Sequence, residues 1–438
     1  MKNQVARQIF NVLLRVASLA AKLLLTLFMG RYLGLEDLGL YGLVFSAVMI
    51  STTLLGVRLD YVVGRDLIKA PLQEGVRLMR DQLVFLGFNY IFLALVLLGM
   101  GLMNLVAAKW LLSIFIISVF ECTGNAMTNN LISLGKPVLS TFLFFVRSGL
   151  WGILVVVIGL LFPSTRNVPT ILFIWGFGAF LGVVMTFWAY RHYPFRAVLH
   201  EPIDWVWIKK SVIGCFPIWI GTVCATLSYS VDRFVVSSFM TISDVGVITY
   251  YGSFATALLS LTQSGIYSFS YPKMIRHHHE QDETAFWREA RDLAWQVSLF
   301  VFFLVVVTGI VIPYSGVLFN KPEFQQEAVT LWLMLLGIWI RGNADTLYYV
   351  LYARHEDKPL WVGSLLFLIP AVGGNLLFVP LFGLEGVGYS SILGALFLLV
   401  QRGLVVFRVK DGRIVKKNPE SKAEAKVIRP EPAEILDP

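Results

Sequence analysis

Charged residues are scarce in this 438-residue chain. Only 15% of the residues are Asp, Glu, Lys or Arg, whereas a soluble globular domain has about a quarter. Apolar residues make up 57% of the sequence, and the mean hydropathy is +0.71. This composition excludes an ordinary soluble protein and predicts an all-α, polytopic membrane protein.

Cysteine and cofactor-binding motifs are equally sparse. The three cysteines, Cys122, Cys215 and Cys224, all lie in apolar segments, so neither a disulfide framework nor a cysteine metal site is indicated. The run His277–His279 lies in a highly charged stretch, which favours a solvated loop over a metal site. No Gly-x-x-x-x-Gly-Lys-Ser/Thr motif occurs in the sequence, so a nucleotide-binding loop of that type is not predicted. We expect no metal and no bound cofactor.

Apolar segments of membrane-spanning length follow one another along almost the whole chain. Each has the roughly twenty residues that a helix needs to cross a bilayer. We predict twelve spans, at 9–30, 39–63, 82–107, 110–134, 139–162, 168–190, 212–237, 245–270, 292–312, 327–352, 360–381 and 386–407.

The formal net charge of +8 is explained by topology. With both termini placed in the cytoplasm, the predicted outside loops carry only four basic residues: Arg31, Lys109, Arg166 and Lys321. Most of the 36 Lys and Arg residues then fall inside, as the positive-inside rule requires. The basic charge therefore needs no nucleic acid partner.

The predicted loops leave no room for a catalytic domain outside the membrane. Every outside loop is short, and the longest inside segments, 191–211 and 271–291, have the mixed aromatic and basic composition of interfacial amphipathic segments. The stretch 411–438 is rich in Lys, Glu and Pro and is predicted to be a disordered cytoplasmic tail. We therefore expect a protein that is not an enzyme.

One face of the first span is polar. At about 100° per residue, its polar side chains fall within roughly 80° of one another on a helix. The stripe is about 27 Å long, close to the hydrocarbon thickness of a bilayer. It comprises Gln8, Asn11, Arg15, Ser18, Lys22 and Thr26.

A weak internal repeat relates the two halves of the chain. The sequence Asp37-Leu-Gly39 between spans 1 and 2 matches Asp244-Val-Gly246 between spans 7 and 8. Six spans separate the copies, so both halves enter the membrane in the same direction. We predict two parallel six-helix lobes, 1–200 and 201–410, with a substrate site in a central cavity between them. Span 7 repeats the polar stripe as Thr222, Thr226, Tyr229, Arg233 and Ser237.

Charged residues inside the spans must avoid lipid, since each would cost about 2.5–3.5 kcal/mol at mid-bilayer. Arg15, Lys22 and Arg233 have no acid on their stripes, so we expect them to line a cationic cavity. The charged residues of the spans are Arg15, Lys22, Arg58, Asp60, Glu121, Arg147, Asp232, Arg233, Arg341, Asp345 and Arg402.

The other span charges have competing interpretations. Arg341 and Asp345 are four residues apart and can neutralise each other. Arg58, Asp60 and Arg402 lie near inside ends and are expected to reach the headgroups.

The span acids leave further alternatives open. Asp232 points away from Arg233 on a regular helix, so it should pair with another helix. Glu121 lies mid-span with no obvious local partner, so it is either buried and protonated, salt-bridged to a neighbouring arginine, or a titrating site for a coupling ion.

Two stretches resemble a known family. Met29–Tyr41, read as MGRYLGLEDLGLY, and Val231–Phe234, read as VDRF and followed by Asp244–Gly246, are similar to the flippases of the multidrug/oligosaccharidyl-lipid/polysaccharide (MOP) exporter superfamily. The likeness is greatest to bacterial O-antigen (Wzx-type) flippases. Thr241 stands where the first copy has Gly34, so the repeat is degraded.

The resemblance implies a function. It implies two lobes around a central cavity and outward flipping of undecaprenyl-diphosphate-linked oligosaccharide across the bacterial inner membrane, for O-antigen, capsule or exopolysaccharide synthesis. The cavity cations would correspond to Arg15, Lys22 and Arg233, with Arg58 and Arg341 as further members. Partners would be membrane lipids, a polysaccharide polymerase and chain-length proteins.

Two rival functions and the driving force stay open. A MATE-like, ion-coupled drug antiporter would need net acidic spans to bind a cation, and a membrane polysaccharide polymerase would need a larger outside loop. Inward movement of H⁺ or Na⁺ through Glu121, with Asp345 and Asp232 as further candidates, is one source of drive. The membrane potential acting on an anionic headgroup is the other.

Overall fold

The structure is a computed structural model that describes residues 2–410, with side chains from Phe10 onward. Between residues 2 and 410 the chain forms helices and no strand. In hydrocarbon the backbone amides find no water, and a helix satisfies them within itself. The predicted tail 411–438 and the side chain of Gln8 lie outside the described residues.

Eight helices form the N-terminal half of the described chain. A π-helical turn, Val146–Leu150, joins α6 to α7, and a 3₁₀ turn, Pro163–Thr165, follows α7. The helices are α1 (Lys2–Tyr32), α2 (Leu35–Gly56), α3 (Leu59–Leu67), α4 (Leu72–Leu102), α5 (Ala108–Ser133), α6 (Pro137–Phe145), α7 (Trp151–Leu161) and α8 (Val168–Ala189).

A short helix, α9 (Phe195–Val198), leads to the C-terminal half. A second π-helical turn, Gln263–Tyr267, lies between α12 and α13. The helices of this half are α10 (Trp205–Ser228), α11 (Val231–Phe239), α12 (Ile242–Thr262), α13 (Ser268–His279), α14 (Glu283–Phe319), α15 (Glu323–Gln326), α16 (Ala328–Ala353), α17 (Asp357–Phe382) and α18 (Glu385–Lys410).

The chain is a multi-pass membrane protein with about twelve membrane-spanning helices, as predicted. Eleven segments of the described chain are long and apolar enough to cross a membrane. The remaining predicted span, 327–352, coincides with α16, which Arg341 and Asp345 make more polar than the others. Large apolar side chains such as Leu102 and Phe173 stay exposed, where lipid would cover them.

The two long inside segments are more helical than predicted. The run His277–His279 is the last turn of α13 and not part of a loop, because only residues 280–282 separate α13 from α14. Asp282 begins α14 by accepting a hydrogen bond from the Ala285 amide at 2.9 Å. At the other segment Asp204 caps α10 through the Trp207 amide at 2.8 Å.

We call the membrane side on which α1 begins the proximal face and the opposite side the distal face. At the distal face the two halves meet through α2 and α12. A Cβ on Gly39 would overlap the carbonyl oxygen of Ile242, and a Cβ on Gly246 would overlap that of Leu35. Each residue contacted lies four positions before the other glycine, so the repeated glycines are where the two backbones cross.

A lysine also joins the two halves at the distal face. The Nζ of Lys321, in the loop between α14 and α15, donates to the Leu33 carbonyl at the end of α1. A cation is favourable at a helix C-terminus, where free carbonyls gather. Burial lowers the pKa of Lys321, while the charges of Glu323 and Asp37 oppose that shift. The distal ends of the halves are therefore closed on one another.

Candidate binding cavity

Toward the proximal face the halves stay together on one side. Trp219 of α10 donates to the Thr53 carbonyl of α2 at 3.1 Å. The Thr53 and Thr226 hydroxyls are 3.1 Å apart. The thiol of Cys215 lies 3.3 Å from the Arg58 carbonyl. The α2–α10 side is thus held by polar contacts as far as the end of α2.

On the other side α1 and α13 pack mainly on other helices and not on one another. The proximal part of α1 packs on α6 and the adjacent π turn of its own half, while α13 packs on α14 and α16. Exposed side chains mark both edges, among them Val12 and Val16 on α1 and Ser268 and Phe269 on α13. We call the space between α1 and α13 the lateral cleft.

The N-terminal half holds a buried ionic cluster around Glu121. Arg147 Nε lies 3.4 Å from Glu121 Oε2. The Arg147 guanidinium also donates to the Glu121 carbonyl at 2.7 Å and to Asn125 Oδ1 at 3.3 Å. Trp175 Nε1 donates to Glu121 Oε1 at 2.9 Å. Both carboxylate oxygens are therefore engaged, and of the alternatives for Glu121 the geometry shows the salt bridge to a neighbouring arginine.

Two glycines make room for this arginine. A Cβ on Gly124 would lie 2.7 Å from Arg147 Cδ, and one on Gly182 would lie 2.7 Å from Arg147 Cβ. Arg147 itself lies in the π-helical turn Val146–Leu150, an extra-residue turn that re-aims side chains. The helices α5 and α8 therefore approach the arginine closely enough to enclose it.

Lys22 is the second cation of this half. Its side chain is exposed, and Glu121 and Arg147 are charged groups near it. A cation within a span avoids lipid, so we expect Lys22 to face a polar space. Glu121 thus has two basic neighbours, of which Arg147 is bonded and Lys22 is accessible.

The C-terminal half holds a matching cluster around Asp345. Arg341 Nε and Arg402 Nη1 both bind the same oxygen, Asp345 Oδ1, at 3.1 and 2.7 Å. Arg402 also donates to the Ala344 carbonyl at 2.8 Å. The expected Arg341–Asp345 pair therefore forms, but the expectation that Arg402 reaches the headgroups is wrong. It is only 4% exposed, because Asp345 and a carbonyl satisfy it within the protein.

Aromatic rings cover the two arginines of this cluster. Arg341 Cζ lies 5.4 Å from the centre of the Tyr229 ring and 5.0 Å from that of Phe367. Arg402 Cζ lies 5.2 Å from the centre of the Tyr348 ring. Cations are stabilised over such ring faces. Tyr229 is 42% exposed, so one side of this cluster is accessible.

Arg233 does not lie on an open surface. It is 7% exposed and donates across the halves to Ser46 at 3.2 Å. It also donates to the Tyr229 carbonyl at 3.1 Å, which the break between α10 and α11 leaves without a helical partner. In this arrangement a binding role for Arg233 would require the halves to separate.

Asp232 pairs locally, contrary to expectation. Its Oδ1 accepts from the Arg233 amide at 2.8 Å and lies 3.8 Å from Arg233 Nη1. The prediction assumed a regular helix, but Asp232 lies in the first turn of α11, where its side chain folds back on the backbone.

Two further site residues lie near the proximal ends of helices. Arg58 is 4.0 Å from Asp60, and Arg15 is exposed on α1.

The structure adds three residues that the sequence did not assign to the site: Arg147, Arg402 and Trp175. Both arginines are visible as charges within predicted spans, but their partners lie on other helices, whose neighbours the sequence does not reveal. Trp175 has no sequence signal, since it is one of 12 tryptophans in the chain.

Comparison with protein-family models and with curated proteins finds no match for this sequence. Solved structures do match its fold. A multidrug resistance MATE family transporter of the MOP superfamily, in an inward-facing conformation, has a TM-score of 0.71 at 12% identity. The alignment covers 91% of this chain and 99% of that protein.

Two further structures show the same fold. The lipid II flippase MurJ, in an inward closed conformation, has a TM-score of 0.70 at 13% identity, over 92% of this chain and 87% of its own. A MOP superfamily transporter from Pyrococcus furiosus, described as having a binding pocket of reverse polarity, has a TM-score of 0.57 at 13% identity, over 92% and 96%. The chain therefore has the fold of MOP superfamily transporters.

Proposed function

We propose that this protein is a flippase for a lipid-linked oligosaccharide with an anionic diphosphate headgroup. Its substrate would be an undecaprenyl-diphosphate-linked repeat unit, moved from the cytoplasmic to the outer leaflet of a bacterial inner membrane by alternating access. The product would enter synthesis of O-antigen, capsule or exopolysaccharide.

The observation that carries the proposal is the charge of the two clusters. In each half one acid has two basic neighbours: Glu121 with Arg147 and Lys22, and Asp345 with Arg341 and Arg402. Each cluster has an excess of one positive charge, which suits a diphosphate in a low-dielectric surrounding.

The lateral cleft supports a lipid-linked substrate. A flippase must keep an apolar tail in the bilayer while its headgroup crosses in a polar space. Along α1, Arg15 and Lys22 lie on one edge, and the exposed Leu13 and Leu24 lie elsewhere on the helix. One helix thus offers a polar edge to a headgroup and an apolar face to a tail.

A drug antiporter is the principal alternative, because a multidrug transporter shares the fold as fully as the lipid II flippase does. A cationic drug would meet an excess of positive charge in both halves, which disfavours its binding. A polysaccharide polymerase is disfavoured by the short distal connections, such as residues 33–34 between α1 and α2.

The proposal includes the orientation in the membrane, the partner proteins and the driving force for flipping. The proximal face would be cytoplasmic because the basic residues concentrate there, and a polymerase and chain-length proteins would use the product at the opposite face. Flipping would be coupled to inward H⁺ or Na⁺ movement through Glu121, with Asp345 and Asp232 as alternatives. An anionic headgroup moving outward also gains about 2.3 kcal/mol per net charge per 100 mV.

The test is flipping of a fluorescent undecaprenyl-diphosphate-linked oligosaccharide in proteoliposomes, read by quenching with an impermeant reductant. Wild type should flip it, and the Lys22→Gln and Arg15→Ala variants should flip it at least tenfold more slowly at subsaturating substrate. Lys109→Gln removes an exposed lysine at the start of α5 and is the matched control with wild-type flipping.

A second substrate separates the two transporter hypotheses. A fluorescent cationic drug is offered to the same proteoliposomes under the same ion gradients. Drug uptake without flipping of the lipid would overturn the proposal, as would wild-type flipping in both cavity variants.

A further inference from the structure

The outward face of α10 carries a pocket unrelated to the ionic clusters. It is a shallow and largely open depression at the proximal end of the helix, with a volume of about 560 Å³. At about 100° per residue its lining side chains all fall on one side of α10. They are Trp205, Val206, Lys209, Lys210 and Ile213.

The two lysines are exposed cations at a membrane boundary. Neither Lys209 nor Lys210 forms a salt bridge with the described side chains. The nearest acids along the chain, Glu201 and Asp204, lie 4.0 and 3.5 Å from Arg77. The two ammonium groups at the rim are therefore unpaired within the described chain, while the pocket itself is lined mainly by apolar atoms.

The position of the pocket matches the headgroup level of a bilayer. Trp205, the first residue of α10, packs edge-to-face on Phe88 of α4 at 5.5 Å between ring centres, and tryptophan is enriched at membrane interfaces. One to two turns deeper, the exposed side chains Ile213 and Phe216 are apolar. Cations at the rim with apolar side chains beneath them match the division of a phospholipid into headgroup and acyl chains.

We propose that this pocket binds an anionic phospholipid. Lys209 and Lys210 would hold the headgroup phosphate, while Val206, Ile213 and Phe216 contact the acyl chains. Lysines near the membrane surface attract acidic headgroups. The alternative, that both lysines merely reach bulk headgroups by extending their side chains, predicts no preference for one lipid at this place.

The site lies where the two halves meet, since Phe88 belongs to the N-terminal half and Trp205 to the C-terminal half. A lipid seated there contacts α10, the helix whose polar contacts close the α2–α10 side. The inference does not depend on the proposed substrate, because none of its residues belongs to the ionic clusters.

The test is native mass spectrometry of the detergent-purified full chain titrated with phosphatidylglycerol or phosphatidylcholine. The wild type should retain phosphatidylglycerol, and Lys209→Gln/Lys210→Gln should bind it about 30-fold more weakly. Lys69→Gln/Lys358→Gln removes two exposed lysines at the same face and should bind like the wild type.

Trp205 provides a second measurement. Brominated phosphatidylglycerol should quench the fluorescence of the wild type more than that of Trp205→Phe, and the difference should vanish in the Lys209→Gln/Lys210→Gln background. Equal retention of both lipids, equal binding by the two double variants, or displacement of the lipid by inorganic phosphate alone would each overturn the proposal.

Discussion

The two ionic clusters have the same charge but different construction. Around Asp345 both arginines bind one carboxylate oxygen directly, and rings cover them. Around Glu121 a single arginine and Trp175 hold the carboxylate, while Lys22 stays accessible. We call the C-terminal cluster a closed network because both of its arginines are bound to the acid. In the N-terminal cluster Lys22 is accessible to a ligand.

Because of this difference, binding a phosphate costs more free energy in the C-terminal cluster than in the N-terminal one. A cation already bound by a carboxylate must give up that bond to hold a phosphate, and an accessible lysine gives up only water. The comparison predicts that changes in the C-terminal cluster act mainly on stability and changes at Lys22 act mainly on binding.

The largest effect is expected from Asp345→Asn. Both Arg341 and Arg402 would lose their shared carboxylate in a buried place, which costs about 3–5 kcal/mol of unfolding free energy. Thermal unfolding in detergent, followed by tryptophan fluorescence, measures it. Adding Arg402→Leu should recover part of the loss, and an unchanged midpoint in Asp345→Asn would refute the closed network.

Glu121→Gln should cost less, about 1.5–3 kcal/mol. A glutamine can still accept from Trp175, and Arg147 keeps its bonds to the Glu121 carbonyl and Asn125. If Glu121 is the coupling acid, flipping should also lose its dependence on an imposed ion gradient. Full gradient-dependent flipping in this variant would move the coupling role to Asp345 or to the membrane potential alone.

Gly39→Ala and Gly246→Ala test whether the halves are equivalent at their contact. Each added methyl group meets the carbonyl of the facing helix, and such overpacking costs about 1–3 kcal/mol. Because the contact is reciprocal, both should open the distal end to the same extent, measured as distances between spin labels across α2 and α12. Gly87→Ala, where a Cβ would contact nothing, is the control; opening in only one variant would show that the repeat is not a structural one.

Lys22→Gln should have the smallest effect on stability, within about 0.5 kcal/mol, since the side chain is exposed. Its effect should fall on substrate affinity instead. Binding of an undecaprenyl-diphosphate analogue by fluorescence titration measures it, with Arg31→Gln as a matched exposed cation at the distal end of α1. A large loss of stability with unchanged affinity would reverse the contrast between the halves.

Helical class and the number of spans were predictable because hydropathy is a local property. The Arg341–Asp345 pair was predictable for the same reason, as i,i+4 neighbours share a helix face. Arg402 and Arg147 were not, because their partners lie on neighbouring helices and depend on the packing order. The prediction that Asp232 pairs with another helix was wrong because it assumed a continuous helix. The break between α10 and α11 contains Tyr229 and Ser230, and no proline or glycine indicates it in the sequence.

The contact between Gly39 and the facing helix could not be predicted from the sequence repeat. The sequence aligned Gly39 with Gly246, but a shared motif does not say that its two copies touch. Only the crossing of α2 and α12 turns a similarity between halves into a contact between them.

The two π-helical turns, Val146–Leu150 and Gln263–Tyr267, give each half a site of adjustable register. A π turn holds one residue more than an α turn. Migration of the turn along its helix would shift the residues it passes by one position and rotate their side chains by about 100°. Arg147 lies in the first turn and Tyr267 in the second, so a local rewinding would redirect them while both ends of the helix stay anchored. If such a turn migrated, the half would change which side chains face the other half by moving a one-residue insertion along a helix instead of moving the helix.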